Sequence, residues 1–135
     1  MKVKEIKALT ISLGCDLFKA FGEEARVRIL FLIYKNDEMC IADLEQVLDF
    51  TQTKVSRHIK YLKSAGILNV EQIDQWRYYS IEGGLNGIIT TLFNYLENDS
   101  LLVNDLKNFR IQYANNELAI RKLHNKKRIY TLPEL

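Results

Sequence analysis

The sequence has few of the features that mark secreted or membrane-spanning proteins. It has two cysteines in 135 residues, without a paired C-x-x-C spacing, which argues against a scaffold held by disulfides. No apolar run approaches the length that crosses a bilayer, and the opening MKVKEIKAL lacks the continuous apolar stretch of a signal peptide. We therefore expect a cytoplasmic chain that has no membrane partner.

The usual marks of an enzyme are also missing. The chain has no glycine-rich phosphate loop, and neither of its two histidines has an evident nucleophile as partner. We expect no catalytic residues, no cofactor and no complete set of metal ligands. The formal net charge is only +2, so a role in binding a polyanion depends on where the charges lie.

Apolar residues at helical spacing predict four helices in the first half of the chain. The first spans 5–20, and the second begins at the acidic pair Glu23-Glu24 and ends near residue 35. A short third helix fits 41–48. The fourth spans 52–65, with Thr51 as its cap and Gly66 as its end.

The second half begins with a change of period. Apolar and polar residues alternate over 68–81 around Asp74-Gln75, which predicts a β-hairpin. A helix over 85–96 follows, and a long last helix spans 101–124, with Asn116 as the polar exception in its apolar seam. We expect 1–98 to form one domain and 99–135 a helix and basic tail used for packing or dimerisation.

The fourth helix carries an unusual polar flank. Its apolar stripe is sparse, so one side is left to long polar side chains. Gln and Arg can bond base edges in the major groove, and Ser, Thr and Lys reach phosphates. Over 51–80 five cations face two carboxylates, a local charge of +3. The predicted DNA contacts on this helix are Gln52, Thr53, Lys54, Ser56, Arg57 and Lys60.

The order of elements favours this interpretation over that of an ordinary solvated surface helix. A short helix, a tight link and a polar-faced helix make a helix-turn-helix, and a hairpin directly after it makes a wing. The predicted fold is mainly α, a winged helix-turn-helix of order α-α-α-α-β-β-α-α. A winged helix that contacts only proteins is the alternative function.

Residues 18–81 resemble the ArsR/SmtB family of bacterial winged-helix repressors. The pieces that carry the resemblance are FKAFGEEARVRILFLI, EMCIADLEQVL, TQTKVSRHIKYLKSAGIL and WRYYSI. The resemblance implies a homodimer that binds a pseudo-palindromic operator in double-stranded DNA and blocks transcription. It also implies a wing contact for Arg77, while His58 is read as a packing residue.

Members of this family often release DNA when a metal, a metalloid or an oxidant reaches cysteines or histidines. Where the family has Cys-x-Cys on the third helix, this chain has Cys40-Ile41-Ala42, so one thiolate is missing. Cys15 and Cys40 from two subunits would still supply two sulfurs for a soft ligand or a disulfide. The alternative is that both cysteines are small apolar packing residues.

The sequence also supports predictions for two regions outside the resemblance. The first helix and the helices after the hairpin have more apolar surface than one small domain covers, which favours a homodimer. The tail over 121–128 holds five cations and no acid. It is either a solvated end or a further set of phosphate contacts.

Overall fold

The computed structural model describes the backbone of residues 8–131 and the side chains as far as 127. It is a mostly helical fold with one antiparallel hairpin between the fourth and fifth helices, and a short 3-10 turn leads into the fifth. The elements are α1 Ile11–Phe21, α2 Glu24–Asn36, α3 Ile41–Leu48, α4 Gln52–Ser64, β1 Leu68–Ile73, β2 Trp76–Ile81, α5 Asn86–Leu96, α6 Ser100–Ala114 and α7 Ala119–Thr131.

The first helix begins later than its apolar periodicity predicts. The hydroxyl of Thr10 accepts a hydrogen bond from the backbone N–H of Leu13 at 3.1 Å, which caps a helix that begins at Ile11. Residues 8–10 are not helical, so that part of the predicted span was wrong. Residues 5–7 lie outside the described residues.

The helix-turn-helix forms as predicted. The three stripe residues Val55, Ile59 and Leu62 are 2% exposed or less, and they hold α4 against the core. Thr51 caps the helix by accepting from the N–H of Lys54 at 3.2 Å. Gly66 ends it in the left-handed conformation at φ 78°, a geometry that glycine adopts without a Cβ clash.

The hairpin also has the predicted boundaries. Its register runs from Leu68 opposite Ile81 to Ile73 opposite Trp76, which leaves Asp74 and Gln75 as the turn. The second strand makes a further two-bond bridge to the link between α2 and α3, since Met39 and Tyr79 exchange backbone hydrogen bonds of 3.0 and 2.9 Å. The wing is therefore attached to the helix-turn-helix at its base.

The single long helix predicted over 101–124 was wrong, because the chain turns at Asn115-Asn116. Asn116 has a left-handed φ of 62°, and the N–H of Glu117 bonds back to the carbonyl of Gln112 at 3.0 Å. Asparagine is one of the few residues that tolerate this conformation at a helix end. Asn116, which was predicted to lie in an apolar seam, is thus a helix terminator. Within residues 8–131 three α-helices follow the wing, where the sequence predicted two.

The two C-terminal helices pack back on the first half of the chain. Arg28 of α2 makes a two-pronged ion pair with the buried Asp105 of α6, with both N–O distances 2.9 Å. The carboxylate of Asp43 in α3 accepts the backbone N–H groups of Ala119 and Ile120 at 2.8 Å, and so caps α7. One apolar core includes residues from both sides of position 98, and the domain division there stays a prediction.

Candidate nucleic-acid interface

The outward flank of α4 carries the side chains that the sequence singled out. Gln52, Thr53, Arg57 and Lys60 are exposed, and Ser56 is half-buried between them. They share one side of the helix because the apolar stripe fixes the opposite side on the core. This surface presents amide, hydroxyl and guanidinium groups together.

Lys54 is held at the start of this flank. Its ammonium nitrogen lies 4.0 Å from the centroid of the Phe50 ring, a cation–π contact that positions the charge beside the helix N-terminus. The first turn of α4 contains no acidic residue. The free backbone N–H groups of that turn and the ammonium group together favour an anion such as phosphate.

The remaining cations of α4 make no ion pair with the side chains that the structure describes. In the part of the chain whose side chains are described, Arg57, Lys60 and Lys63 take part in none of the ion pairs. Such charges face water in the isolated protomer. They can therefore neutralise phosphates and release counterions without first breaking an internal contact.

The inward side of the same helix holds His58, which is 3% exposed. Its Nε2 lies 3.4 Å from a carboxylate oxygen of Glu23 and makes no hydrogen bond within the described residues. Burial lowers the pKa of His58, Arg57 lowers it further, and the Glu23 carboxylate opposes both. This environment agrees with the prediction of a packing residue.

The sequence analysis did not identify Arg26, which packs against α4 on the side away from its outward flank. Arg26 donates to the carbonyls of Lys19 and Ala20 and to the carboxylate of Glu23, and its guanidinium lies 4.4 Å from the Tyr61 ring centroid. It thereby joins the end of α1 to α4. A lone arginine on a mixed helix gives no sequence signal for this role.

The wing places Arg77 on its exposed side, as a DNA contact requires. The acidic turn residue Asp74, which would repel phosphate, is paired with Lys126 of α7 at 2.8 Å. No pattern in the sequence indicates this partner, which lies 52 residues away. The ammonium group of Lys126 thus offsets the negative charge of Asp74 at the tip of the wing.

Several cations of the predicted basic tail make hydrogen bonds or ion pairs with other residues of the chain. Arg121 donates to the carbonyl of Tyr113 at 2.8 Å, and Lys127 pairs with Glu38 at 2.6 Å. The side chain of Arg128 lies outside the described residues. Lys122 is exposed.

The two cysteines lie in different surroundings. Cys15 is exposed on α1, whereas Cys40 is buried immediately before α3. Burial, with the neighbouring carboxylate of Asp43, raises the pKa of the Cys40 thiol to about 12, which disfavours the thiolate that binds metals. Within the described side chains no group of three or more His, Cys, Asp or Glu could hold a metal ion.

The winged helix with its cationic flank is typical of regulators that read DNA, and comparison with known proteins gives the family. The model of bacterial regulatory proteins of the arsR family matches residues 23–70. The arsenic resistance transcriptional regulator ArsR1 of Pseudomonas putida is 31% identical over 93 residues, which cover 63% of this chain and 73% of that protein. The chain belongs to the ArsR family.

Solved structures agree with the fold. The transcriptional repressor PagR of Bacillus anthracis superposes with a TM-score of 0.55 at 25% identity, over 61% of this chain and 94% of that one. A homodimeric winged helix-turn-helix domain from Mycobacterium bovis gives 0.57 at 21% identity, over 67% and 83%. The protein is a DNA-binding transcriptional regulator and not an enzyme. No helix among residues 8–131 is long and apolar enough to span a membrane.

Proposed function

We propose that the protein is a homodimeric repressor that reads a pseudo-palindromic operator through the outward flank of α4. The observation that carries the proposal is the separation of the helix into a buried apolar stripe and an exposed flank whose cations pair with no carboxylate in the described part of the chain. Such a helix can enter the major groove without rearrangement. A cytoplasmic location follows from this function, and no cofactor is required.

Each side chain of the flank has a role that suits its chemistry. Gln52 and Arg57 are the base-reading residues, because an amide can bond adenine and a guanidinium can bond guanine in two places. The phosphate contacts fix the register and are made by Thr53, Lys54, Ser56 and Lys60. Arg77 makes the wing contact to the flanking backbone.

The dimer is proposed to form through α1 and α5. Three large apolar side chains on these helices are strongly exposed in the protomer, namely Ile11 at 87%, Phe18 at 66% and Tyr95 at 85%. A second copy would cover them and set two α4 helices one DNA turn apart, roughly 34 Å. The Mycobacterium bovis domain of the same fold is homodimeric, which supports a dimer.

Light scattering tests the dimer. We expect the parent chain to have twice the protomer mass at micromolar concentration, and Phe18→Glu to shift it toward the protomer mass by placing a charge in the apolar contact. Ile111→Glu on the exposed side of α6 is the matched control and should leave the mass unchanged. A parent chain that is monomeric would remove the two-half-site operator.

Selection of bound duplexes from a random pool, at a stated salt concentration, tests the DNA reading. The proposal predicts an enriched inverted repeat whose half-sites lie about 10 base pairs apart. If the enriched pool has no common sequence, α4 does not read bases. The same lack of a common sequence is expected if the winged helix contacts only proteins, an alternative that the comparisons do not favour. In that case the parent chain, with Gln52 and Arg57 unchanged, would select no sequence.

A response to metalloids or oxidants through Cys15 and Cys40 stays a second prediction. The name of the Pseudomonas putida relative, an arsenic resistance regulator, favours it, whereas the burial of Cys40 means that its thiol must first be uncovered. Arsenite or an oxidant should release DNA from the parent chain and not from the Cys15→Ser/Cys40→Ser double variant. Equal release from both proteins would refute the role of these thiols.

A further inference from the structure

A cleft of about 430 Å³ lies between the wing and α7, away from the outward flank of α4. Its walls are formed on one side by Ile73, Trp76 and Tyr78 of the hairpin and on the other by Leu123 of α7. The volume lies within the range that accommodates small organic ligands. Neither the DNA contacts nor the dimer proposed above uses this space.

Charged groups stand at the margin of these apolar walls. Lys122 and Lys126 of α7 face the cleft, and Asp74 of the wing turn is the carboxylate that lines it. Lys126 pairs with Asp74 at 2.8 Å, and both side chains remain well exposed. Among the described residues that line the cleft, two are cationic and one is acidic, and Lys122 makes none of the ion pairs found there.

The large ring of Trp76 is incompletely covered by the protein. It lies at the start of β2 and is half-buried, whereas Tyr78, two residues further on the same side of the strand, is 2% exposed. A flat apolar group that entered the cleft would cover the indole and displace water from it. A partly covered aromatic ring with ammonium groups nearby defines an amphipathic site.

We propose that this cleft binds a small organic anion with a flat apolar body, such as an aryl carboxylate. The ring of the ligand lies against Trp76 and Leu123, and its carboxylate faces Lys122 and Lys126. In this position the ligand carboxylate competes with Asp74 for the ammonium group of Lys126. The ligand therefore contacts the turn of the wing directly.

Binding at this site does not depend on the proposed DNA function, and the experiment measures it without DNA. The chain has one tryptophan, so incorporation of 5-fluorotryptophan gives a single fluorine resonance that reports on the cleft. The full chain is titrated with benzoate, with the neutral isostere benzamide and with inorganic phosphate. Benzoate should shift the resonance saturably.

The two comparison compounds separate the parts of the proposal. Benzamide should bind roughly fivefold more weakly, because it lacks the charge that pairs with the lysines. Inorganic phosphate should give no comparable shift, because it has no apolar body. Equal shifts from benzoate and benzamide would overturn the role of the lysines, and equal shifts from benzoate and phosphate would overturn the apolar site.

A charge variant then locates the ligand. Lys122→Gln should raise the dissociation constant of benzoate roughly two- to fivefold. Lys107→Gln, an exposed lysine of α6 outside the cleft, is the matched control and should leave it unchanged. The proposal is overturned if benzoate gives no saturable shift at millimolar concentration, or if the two variants weaken binding equally.

Discussion

The helices α4 and α7 are similar in length and charge but use their cations differently. Each has 13 residues, each carries at least four lysines or arginines, and neither contains an acidic residue. The exposed cations of α4 pair with no carboxylate in the described part of the chain. In α7, by contrast, Arg121, Lys126 and Lys127 all contact groups of the same protein.

The difference shows that the number of charges on a helix does not predict which of them can bind a partner. The groups that engage Lys126 and Lys127 are 52 and 89 residues away in the sequence. Only the fold brings them together. Through Lys126, α7 also pairs with Asp74 at the turn of the wing.

The largest expected effect comes from detaching the C-terminal helices from the core. Asp105 is 1% exposed and pairs with Arg28, so Asp105→Ala leaves an arginine without its partner at a mostly buried position. We expect the free energy of unfolding to fall by about 3–5 kcal/mol. Urea titration measures this change.

The matched control for that variant is Glu117→Ala, which removes an exposed carboxylate between α6 and α7. It should change the free energy of unfolding by less than about 0.5 kcal/mol. If Asp105→Ala costs no more than this control, the ion pair does not fix α6 on α2.

A smaller effect is expected when the cap of α7 is removed. Asp43→Ala takes away the acceptor of the Ala119 and Ile120 N–H groups, and we expect a loss of about 1–2 kcal/mol. Those two amides should exchange hydrogen faster, while the amides in the middle of α4 keep their relative protection. Gln46→Ala, at an exposed position of α3, is the control. Unchanged protection at Ala119 and Ile120 would contradict the cap.

The smallest effect concerns the contact between α7 and the wing. A double-mutant cycle with Asp74→Asn and Lys126→Gln should give a coupling energy of about 0.2–1 kcal/mol, since both side chains are well exposed. The coupling should shrink in 1 M salt, where charges at the surface are screened. A coupling of zero at low salt would mean that α7 does not hold the wing turn through this pair.

The sequence predicts the helix-turn-helix and wing well because their signals are local. Val55, Ile59 and Leu62 show the buried side of α4, Thr51 and Gly66 mark its ends, and alternation marks the strands. The break at Asn116 was missed because a polar residue at a seam position and a left-handed helix terminator have the same sequence signal. The capping role of Asp43 could not be predicted, since its partners lie 76 and 77 residues away.

The claim that α4 reads DNA bases through its outward flank is tested most directly with Arg57→Ala. Fluorescence anisotropy would compare a selected operator duplex with a scrambled one, at about 150 mM salt, and Arg110→Ala on the exposed side of α6 would serve as control. The preference is the difference in binding free energy between the operator and the scrambled duplex. We predict that Arg57→Ala lowers this difference by about 1–3 kcal/mol, while Arg110→Ala leaves it unchanged. If Arg57→Ala keeps the full preference, Arg57 does not read the operator.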